Sequence, residues 1–343
     1  MINEIIRSFG IDPDQVTVER IGSGYINQTF KIHSAQSFIL QRVNNKVFTK
    51  PELIANNLRT ASDYLSKNFP GYLFLSGIRS VDNREMVYDA EGYPWRLFPY
   101  IENSMTVDKV GSEEEAFEAA RGFAELTSHL SGCNTSQFNP TIDRFHDLSW
   151  RSEQFESALK NTTAERKKEA HDAIQGCIHF SYLATQYNKL INDGGLVLRV
   201  THNDTKINNI LFDGTTRKAV CVIDLDTLMP GYFIYDLGDM VRTFVSPVSE
   251  EEKDLDKVIF RESIYNALLE GYKSQMDRAL NPVEKTLAPF SGMMMTYIMA
   301  LRMLTDFLNG NIYYVISYPE QNLVRARNQL KLLSLLEAHF KTS

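Results

Sequence analysis

The segment His202-Asn203-Asp204-Thr205-Lys206-Ile207-Asn208-Asn209-Ile210-Leu211-Phe212 has the form H-x-D-x4-N and runs straight into an apolar, strand-like stretch. A second apolar run, Val220-Cys221-Val222-Ile223, ends in Asp224-Leu225-Asp226. These residue types at neighbouring strand ends suit phosphoryl transfer. Asp204 would orient an attacking hydroxyl and accept its proton, while Asn209 and Asp224 would hold Mg²⁺ on the phosphates of a nucleotide. Magnesium favours hard oxygen ligands and keeps several waters, so two protein oxygens plus phosphates suffice. Lys206, two residues beyond Asp204, would sit near the γ-phosphate and offset the charge that develops in transfer. The plainer reading, that Asp204 and Asn209 merely shape a turn, leaves the second strand-then-Asp unexplained.

Other local signals are weaker. Gly22-Ser23-Gly24 lies between two β-rich runs, with no third glycine and no following helix, so it is not a dinucleotide fingerprint. No Gly-Lys-Ser/Thr appears, so it is not a Walker loop either. Beside Asp204 it reads as a flap whose backbone N–H groups cover phosphates, and otherwise as an ordinary hairpin. His202 reads as structural, because Asp204 already supplies the base. Asp236 is expected to tie its segment to the catalytic loop, with Arg242 pairing to it or to Asp239. Met293-Met294-Met295 is core filler at helical spacing. Arg302 and Asp306 form an i,i+4 pair on one helix, followed by Tyr313-Tyr314, and polar groups there are placed to receive a sugar.

The elements that must position these groups fall into two parts. Val16–Ile21, Thr29–His33, Phe38–Val43, Tyr72–Ile78, Glu85–Tyr88 and Trp95–Ile101 read as strands, with a helix over Glu52–Leu65 led by Pro51. After about residue 101, apolar residues recur at helical spacing over Glu113–Leu130, Ser149–Leu159, Lys167–Ile191, Ile259–Ala279, Pro282–Leu308 and Gln321–Phe340, around a β-rich island at Val197–Asp226. The expected layout is α+β: a β-rich lobe over 1–100 and a helical lobe over 101–343, with the ligand in the cleft between them.

Composition narrows the partners. The 343 residues are 43% hydrophobic and 23% charged, which excludes disorder and leaves enough apolar mass for sizeable cores. Thirty-six Lys and Arg against 43 Asp and Glu leave a charge of −7, the wrong sign for a duplex nucleic-acid binder. No run is long and apolar enough to span a bilayer. The first residues show no signal-peptide pattern, and the 3 cysteines form no CxxC pair, so a reducing cytoplasm is the expected compartment. No histidine or cysteine spacing suggests zinc.

His202–Phe212 together with Ile223–Asp226 resembles the catalytic core of the aminoglycoside phosphotransferase/choline kinase family, relatives of the protein kinases. Within it the chain looks most like the N-acetylhexosamine 1-kinases. That likeness lies in Ile39–Asn44, Asn45–Phe48, His202–Lys206, Val222–Thr227, Met229–Gly231 and Leu304–Gly310, and spans roughly residues 20–315. The resemblance implies a protein kinase-like fold, with a small antiparallel sheet lobe carrying one helix and a larger, mainly helical lobe. It implies Asp204 as base, Asn209 and Asp224 as Mg²⁺ ligands with Asp226 as a second acidic ligand, and an adenine-binding hinge at Phe98, Pro99, Tyr100 and Ile101. Many kinases place a Lys on the strand beneath the flap. Here Gln41 takes that place with Arg42 adjacent, and strand alternation lets only one of them reach the phosphates.

The function expected is an ATP- and Mg²⁺-dependent kinase that phosphorylates the anomeric hydroxyl of N-acetylglucosamine or N-acetylgalactosamine. Its partner is a small amino sugar, and Tyr25, Asp204, Arg302, Asp306 and Tyr313 are the candidate sugar contacts. A second reading keeps the reaction but takes choline, ethanolamine, homoserine or an aminoglycoside as acceptor, with Glu250-Glu251-Glu252 and Asp254 as a carboxylate ring. A third is a catalytically inactive nucleotide-binding protein, which would be expected to lack a base or metal residue.

Overall fold

Strand alternation sorts the first sheet into two faces with different duties. The computed structural model describes residues 2–21 and 27–342. After helix α1 (Ile2–Ser8) come β1 (Thr17–Ile21), β2 (Gln28–His33), β3 (Phe38–Arg42), β4 (Val87–Tyr88) and β5 (Pro94–Pro99). They pair antiparallel in the order β1-β2-β3-β5-β4. Leu40 faces Leu97 across the β3–β5 pair, and with Ile32 and Trp95 they are buried against Ile5, Ile6 and Phe9 at the α1 end of the chain. Burying each such aliphatic side chain contributes about 1.5–3 kcal/mol. Directly opposed residues share a face, so Gln41 with Arg96 and Ile39 with Phe98 lie on the other side. That side turns toward the rest of the molecule.

Helix α2 (Pro51–Asn68) follows β3, with Pro51 in its first turn and Ile54, Leu58, Ala61 and Leu65 as its buried stripe. That stripe joins the large core rather than the small one. Fully buried Asn57 fastens the helix there: Nδ2 donates to the carbonyls of Asn139 (2.7 Å) and Leu228 (2.9 Å), and Oδ1 accepts from the N–H of Asn139 at 2.8 Å.

The chain then crosses to β6 (Ser104–Met105) and the helical lobe. It comprises α3 (Glu113–Leu130), α4 (Leu148–Asn161), α5 (Ala164–Glu169), α6 (His171–His179), α7 (Tyr182–Asn192), α8 (Phe233–Phe244), α9 (Glu262–Met276), α10 (Ala288–Leu308) and α11 (Gln321–Thr342). Ser112 and Asp147 cap α3 and α4 by accepting from Glu115 and Trp150 N–H groups. Between α7 and α8 lie β7 (Arg199–Thr201), β8 (Ile210–Asp213), β9 (Ala219–Val222) and β10 (Met229–Gly231), paired as β10-β7 and β6-β8-β9. Met293, Met294 and Met295 are buried in α10 as core residues. The cysteines are unpaired, and no helix among the described residues is long and apolar enough to cross a membrane.

Three expected elements differ. Tyr72–Ile78 forms no strand, and Ile78 alone bridges to Leu97. The helix expected over Lys167–Ile191 is three helices, turning at Ala170 and at Phe180-Ser181. Neither turn holds Gly or Pro. Ala170, Ala173, Ile174, Cys177, Phe180 and Leu183 are all buried in the large core, so the apolar face continues across both breaks and gives no sign of them. The helix expected from Pro282 starts at Ala288, because Glu284 is committed to a buried ion pair before it.

That pair offers a stability test. Arg199 on β7 grips Glu284 through both Nη atoms at 2.7 Å, with neither side chain more than 4% exposed. Burial pushes the Glu284 carboxyl up, but the Arg199 fork and the N–H groups of Val197 and Asn281 outweigh it and hold the group below its usual value. Its stabilisation is therefore present above the unfolded-chain value and is lost as pH falls through the lower native one. Glu284→Ala is expected to cost about 3–5 kcal/mol at neutral pH. The gap to wild type in urea midpoints should narrow as the buffer is taken below about pH 4; a constant gap would exclude this ionisation.

Candidate active site

The loop leaving β7 is shaped by one buried carboxylate. Asp236, fully buried in the first turn of α8, accepts the N–H of His202 at 3.0 Å, the N–H of Asn203 at 2.7 Å and the Thr127 hydroxyl at 3.2 Å. Its own backbone carbonyl accepts the Thr205 hydroxyl at 2.7 Å. Burial raises its pKa, against the opposing pull of His202 and those N–H donors. The expected tie from Asp236 to the loop is thus made, whereas Arg242 pairs with Asp239 and Glu250. His202 is structural: Nε2 donates to the Ile223 carbonyl at 2.9 Å, so Nδ1 is left to accept the Asp204 N–H at 3.2 Å. Through that one ring the loop is keyed to the end of the strand that carries Asp224.

Asp204 stands at the loop's open side. Lys206 Nζ lies 2.9 Å from Oδ1, and Asn209 Nδ2 donates to Oδ2 at 3.2 Å and to the Asp204 carbonyl at 2.8 Å. Burial pushes the Asp204 carboxyl up, but the Lys206 charge and hydrogen bond outweigh it and bring it below the usual range. Asp204 in turn raises the Lys206 ammonium. Asn209 Oδ1 receives no hydrogen bond from the described residues. Neither does Asp224, whose backbone sits in the left-handed region at φ 57°, a conformation that Asp tolerates. The Asp224 side chain is open to solvent yet ringed by protein, as on a cleft floor, and burial with the Asp226 and Asp204 charges pushes it up to about 6. A free carboxylate among like charges, beside a free amide oxygen, fits a divalent cation. Among the described residues no three His, Cys, Asp or Glu side chains gather as a metal cluster, so such an ion would complete its shell from phosphates and water.

Above this floor the sheet presents Gln41, not Arg42. Arg42 lies on the α1 face, paired with Asp89 (3.3 Å) and Glu91 (2.6 Å) and stacked on Tyr93, which removes it from the phosphate position expected for it. Gln41 Oε1 accepts from Arg96 Nε (3.1 Å) and Nη2 (2.8 Å), and its Nε2 donates to Thr29. Arg96 Nη1 reaches across to Asp226 Oδ1 at 2.5 Å, while Asp226 Oδ2 accepts from Asn27 at 2.8 Å. Asp226, expected as a second acidic metal ligand, therefore faces across the lobes, with Oδ1 beside Arg96 and Oδ2 accepting from Asn27. Sequence reasoning missed Arg96, since only its β-register opposite Gln41 marks it.

The segment expected as the hinge is Phe98 and Pro99 at the end of β5 followed by Tyr100 and Ile101. Pro99 has no N–H, the Tyr100 N–H donates to the Ser37 carbonyl at 3.1 Å, and the Ile101 N–H has no backbone partner among the described residues. Gly22, Ser23, Gly24 and Tyr25 lie outside the described residues.

On the helical flank of Asp204, His146 Nε2 meets the Asn203 carbonyl at 2.8 Å. Burial first, with the charges of Arg302 and Arg151, lowers His146 to about 3, so the ring is neutral and its Nε2–H donates. Arg302 lies over the rings of Phe145 and Tyr314, and Arg151 donates to the Phe145 carbonyl and to Gln154. Neither arginine has a carboxylate partner among the described residues. Burial and then Arg302 lower the Arg151 guanidinium to about 10. The expected Arg302–Asp306 pairing is not made. Asp306 is buried and accepts the N–H groups of Tyr313 and Tyr314 and the Asn322 amide, so it holds the loop rather than a sugar. Tyr313 is 61% exposed beside this cluster. Glu250, Glu251 and Glu252 are paired with Arg242, Arg325 and Lys257 and form no ring around the site. A cavity of about 190 Å³ under α2 borders Arg96 and Phe98 from behind, leaving Asp204 and Asp224 on the open cleft.

A family model described as the phosphotransferase enzyme family matches residues 17–278. A microcompartment-associated aminopropanol kinase superposes with a TM-score of 0.65 at 14% identity, covering 99% of this chain and 97% of that one. A spectinomycin phosphotransferase solved with ADP and spectinomycin gives 0.63 at 13% identity over 98% and 97%. A choline/ethanolamine kinase family protein from Mesorhizobium loti gives 0.55 at 15% identity over 98% and 99%. The shared feature is the fold: an antiparallel sheet lobe with one helix packed on it, and a helical lobe.

Proposed function

This chain belongs to the phosphotransferase enzyme family, and we propose that it is an ATP- and Mg²⁺-dependent kinase phosphorylating the anomeric hydroxyl of an N-acetylhexosamine to give the 1-phosphate. Asp204, ionised at neutral pH, takes the proton as the sugar oxygen attacks the γ-phosphorus and the bond to the β-phosphate oxygen breaks, releasing ADP. An anomeric hydroxyl is more acidic than an ordinary alcohol, so one carboxylate is an adequate base. Lys206 balances the charge on that loop. Asp224 and Asn209 Oδ1 are the oxygens that would hold Mg²⁺, which when bound neutralises the phosphates.

The observation that carries the acceptor is the cationic flank. Arg302 and Arg151 lie there without carboxylates, between Phe145, Tyr313 and Tyr314. Guanidinium donors and aromatic faces suit the carbonyl and hydroxyls of a neutral sugar, and a site built on such donors rejects acceptors that leave them unpaired. Choline, ethanolamine or an aminoglycoside would bring a second positive charge to two unneutralised arginines. Asp204, Asn209 and Asp224 are all present, which favours catalysis over the inactive-protein reading.

A coupled ADP-release screen of N-acetylhexosamines, plain hexoses, amines and aminoglycosides tests this, with phosphorus NMR locating the new ester. Turnover of N-acetylhexosamines at the anomeric position is expected, and turnover of amines alone would overturn the acceptor. Asp224→Ala is expected to erase the gain in ADP affinity that Mg²⁺ confers, a loss of about 100-fold or more. Equilibrium dialysis with and without Mg²⁺ measures it; an unchanged gain would remove Asp224 as a ligand.

A further inference from the structure

We infer that Arg96, reaching the cleft from β5, is the side chain that grips the nucleotide phosphates in this chain, held in place by Asp226, while the neighbouring position on β3 carries the neutral Gln41. This rests on the proposed function, since it requires a nucleotide in the cleft. On the cleft face of the described strands the permanently charged cations are Lys31 and Arg96. Lys31 is drawn away, its Nζ lying 3.6 Å over the Tyr100 ring. Arg96 is the one beside the acidic floor. Its side chain is 4% exposed and its Nη1 stands 2.5 Å from Asp226, two residues from the free carboxylate of Asp224.

The guanidinium also has capacity to spare. Of its five N–H groups, Gln41 Oε1 takes one each from Nε and Nη2. Nη1 and Asp226 Oδ1 sit close enough to pair, yet neither makes an aligned hydrogen bond. A buried cation whose partners are one neutral amide and one poorly aligned carboxylate is short of acceptors, and a phosphate's paired oxygens match the unused side of the fork. Asp226 meanwhile accepts from Asn27, whose Oδ1 accepts the Asn44 N–H. The carboxylate beside Arg96 thus also fastens Asn27, just ahead of β2, so the cation and the start of that strand are set from one point.

The readout is the ratio of ADP to adenosine affinity, measured by calorimetry on the intact protein, because adenosine keeps the base and ribose and lacks the phosphates. Arg96→Gln is expected to lower that ratio about 10- to 100-fold with adenosine affinity unchanged, and Arg96→Lys, which keeps charge but loses the fork, by a smaller factor. Adding Gln41→Lys to Arg96→Gln should recover part of the loss by returning a cation from the adjacent strand. An unchanged ratio in Arg96→Gln, or equal loss of ADP and adenosine affinity, overturns the inference alone. Should Arg96→Gln not fold, an unchanged ratio in the Arg96→Lys variant overturns it equally. A wild-type protein that binds neither nucleotide nor nucleoside overturns the functional reading, and this inference with it.

Discussion

Asp204→Ala is expected to lower turnover about 10³-fold while ADP affinity stays within a few-fold of wild type, the range over which a positioned general base contributes. The split between the two readouts follows from where the residue stands. Asp204 is held below the usual carboxylate range by Lys206, so it is ready to take a proton at neutral pH. Its neighbours Lys206 and Asn209 remain, and the sheet face that would meet the nucleotide does not touch it. Loss of the carboxylate also frees Lys206 from its 2.9 Å partner, so ADP affinity should move slightly upward if it moves. Single-turnover kinetics with the best acceptor from the screen provide the measurement. A variant that turns over within tenfold of wild type would remove Asp204 as the base.

Asp236→Ala is expected to cost about 3–5 kcal/mol of stability, because it leaves three buried donors without their acceptor. The mutation strips the acceptor from two backbone N–H groups and the Thr127 hydroxyl in a fully buried setting. Each orphaned donor costs about 1–3 kcal/mol. Asp236→Asn should not rescue it fully, because an amide turned toward these donors places N–H against N–H. Because those N–H groups set the backbone at His202 and Asn203, the surviving folded fraction should also turn over more slowly. Urea unfolding measures the first effect, and a change below about 1 kcal/mol would mean the loop is held by something else.

The chemistry was legible where it is local. Asp204, Lys206 and Asn209 sit within six residues, so loop geometry alone keeps them together, and the apolar run before Asp224 announced its strand. Helix α3 followed its periodicity and its Ser112 cap from Glu113 to Leu130. The breaks at Ala170 and Phe180 were illegible because no Gly or Pro marks them. The roles of Asp226 and Asp306 also depend on distant partners: Arg96 from another lobe, and a loop that folds back to offer two N–H groups.

From the residues alone came the phosphotransferase family and the two-lobe α+β plan, and with them the proposed base and metal oxygens, because each is written in short-range spacing and hydrophobic period. Tertiary structure decided which cation faces the cleft, which arginines go without carboxylates and which acids are already engaged. Those outcomes turn on strand register and on the pairing of charges far apart in the chain. A side chain's type says what it can bond to, but whether its bonding capacity is left free for a ligand depends on every neighbour the fold brings to it.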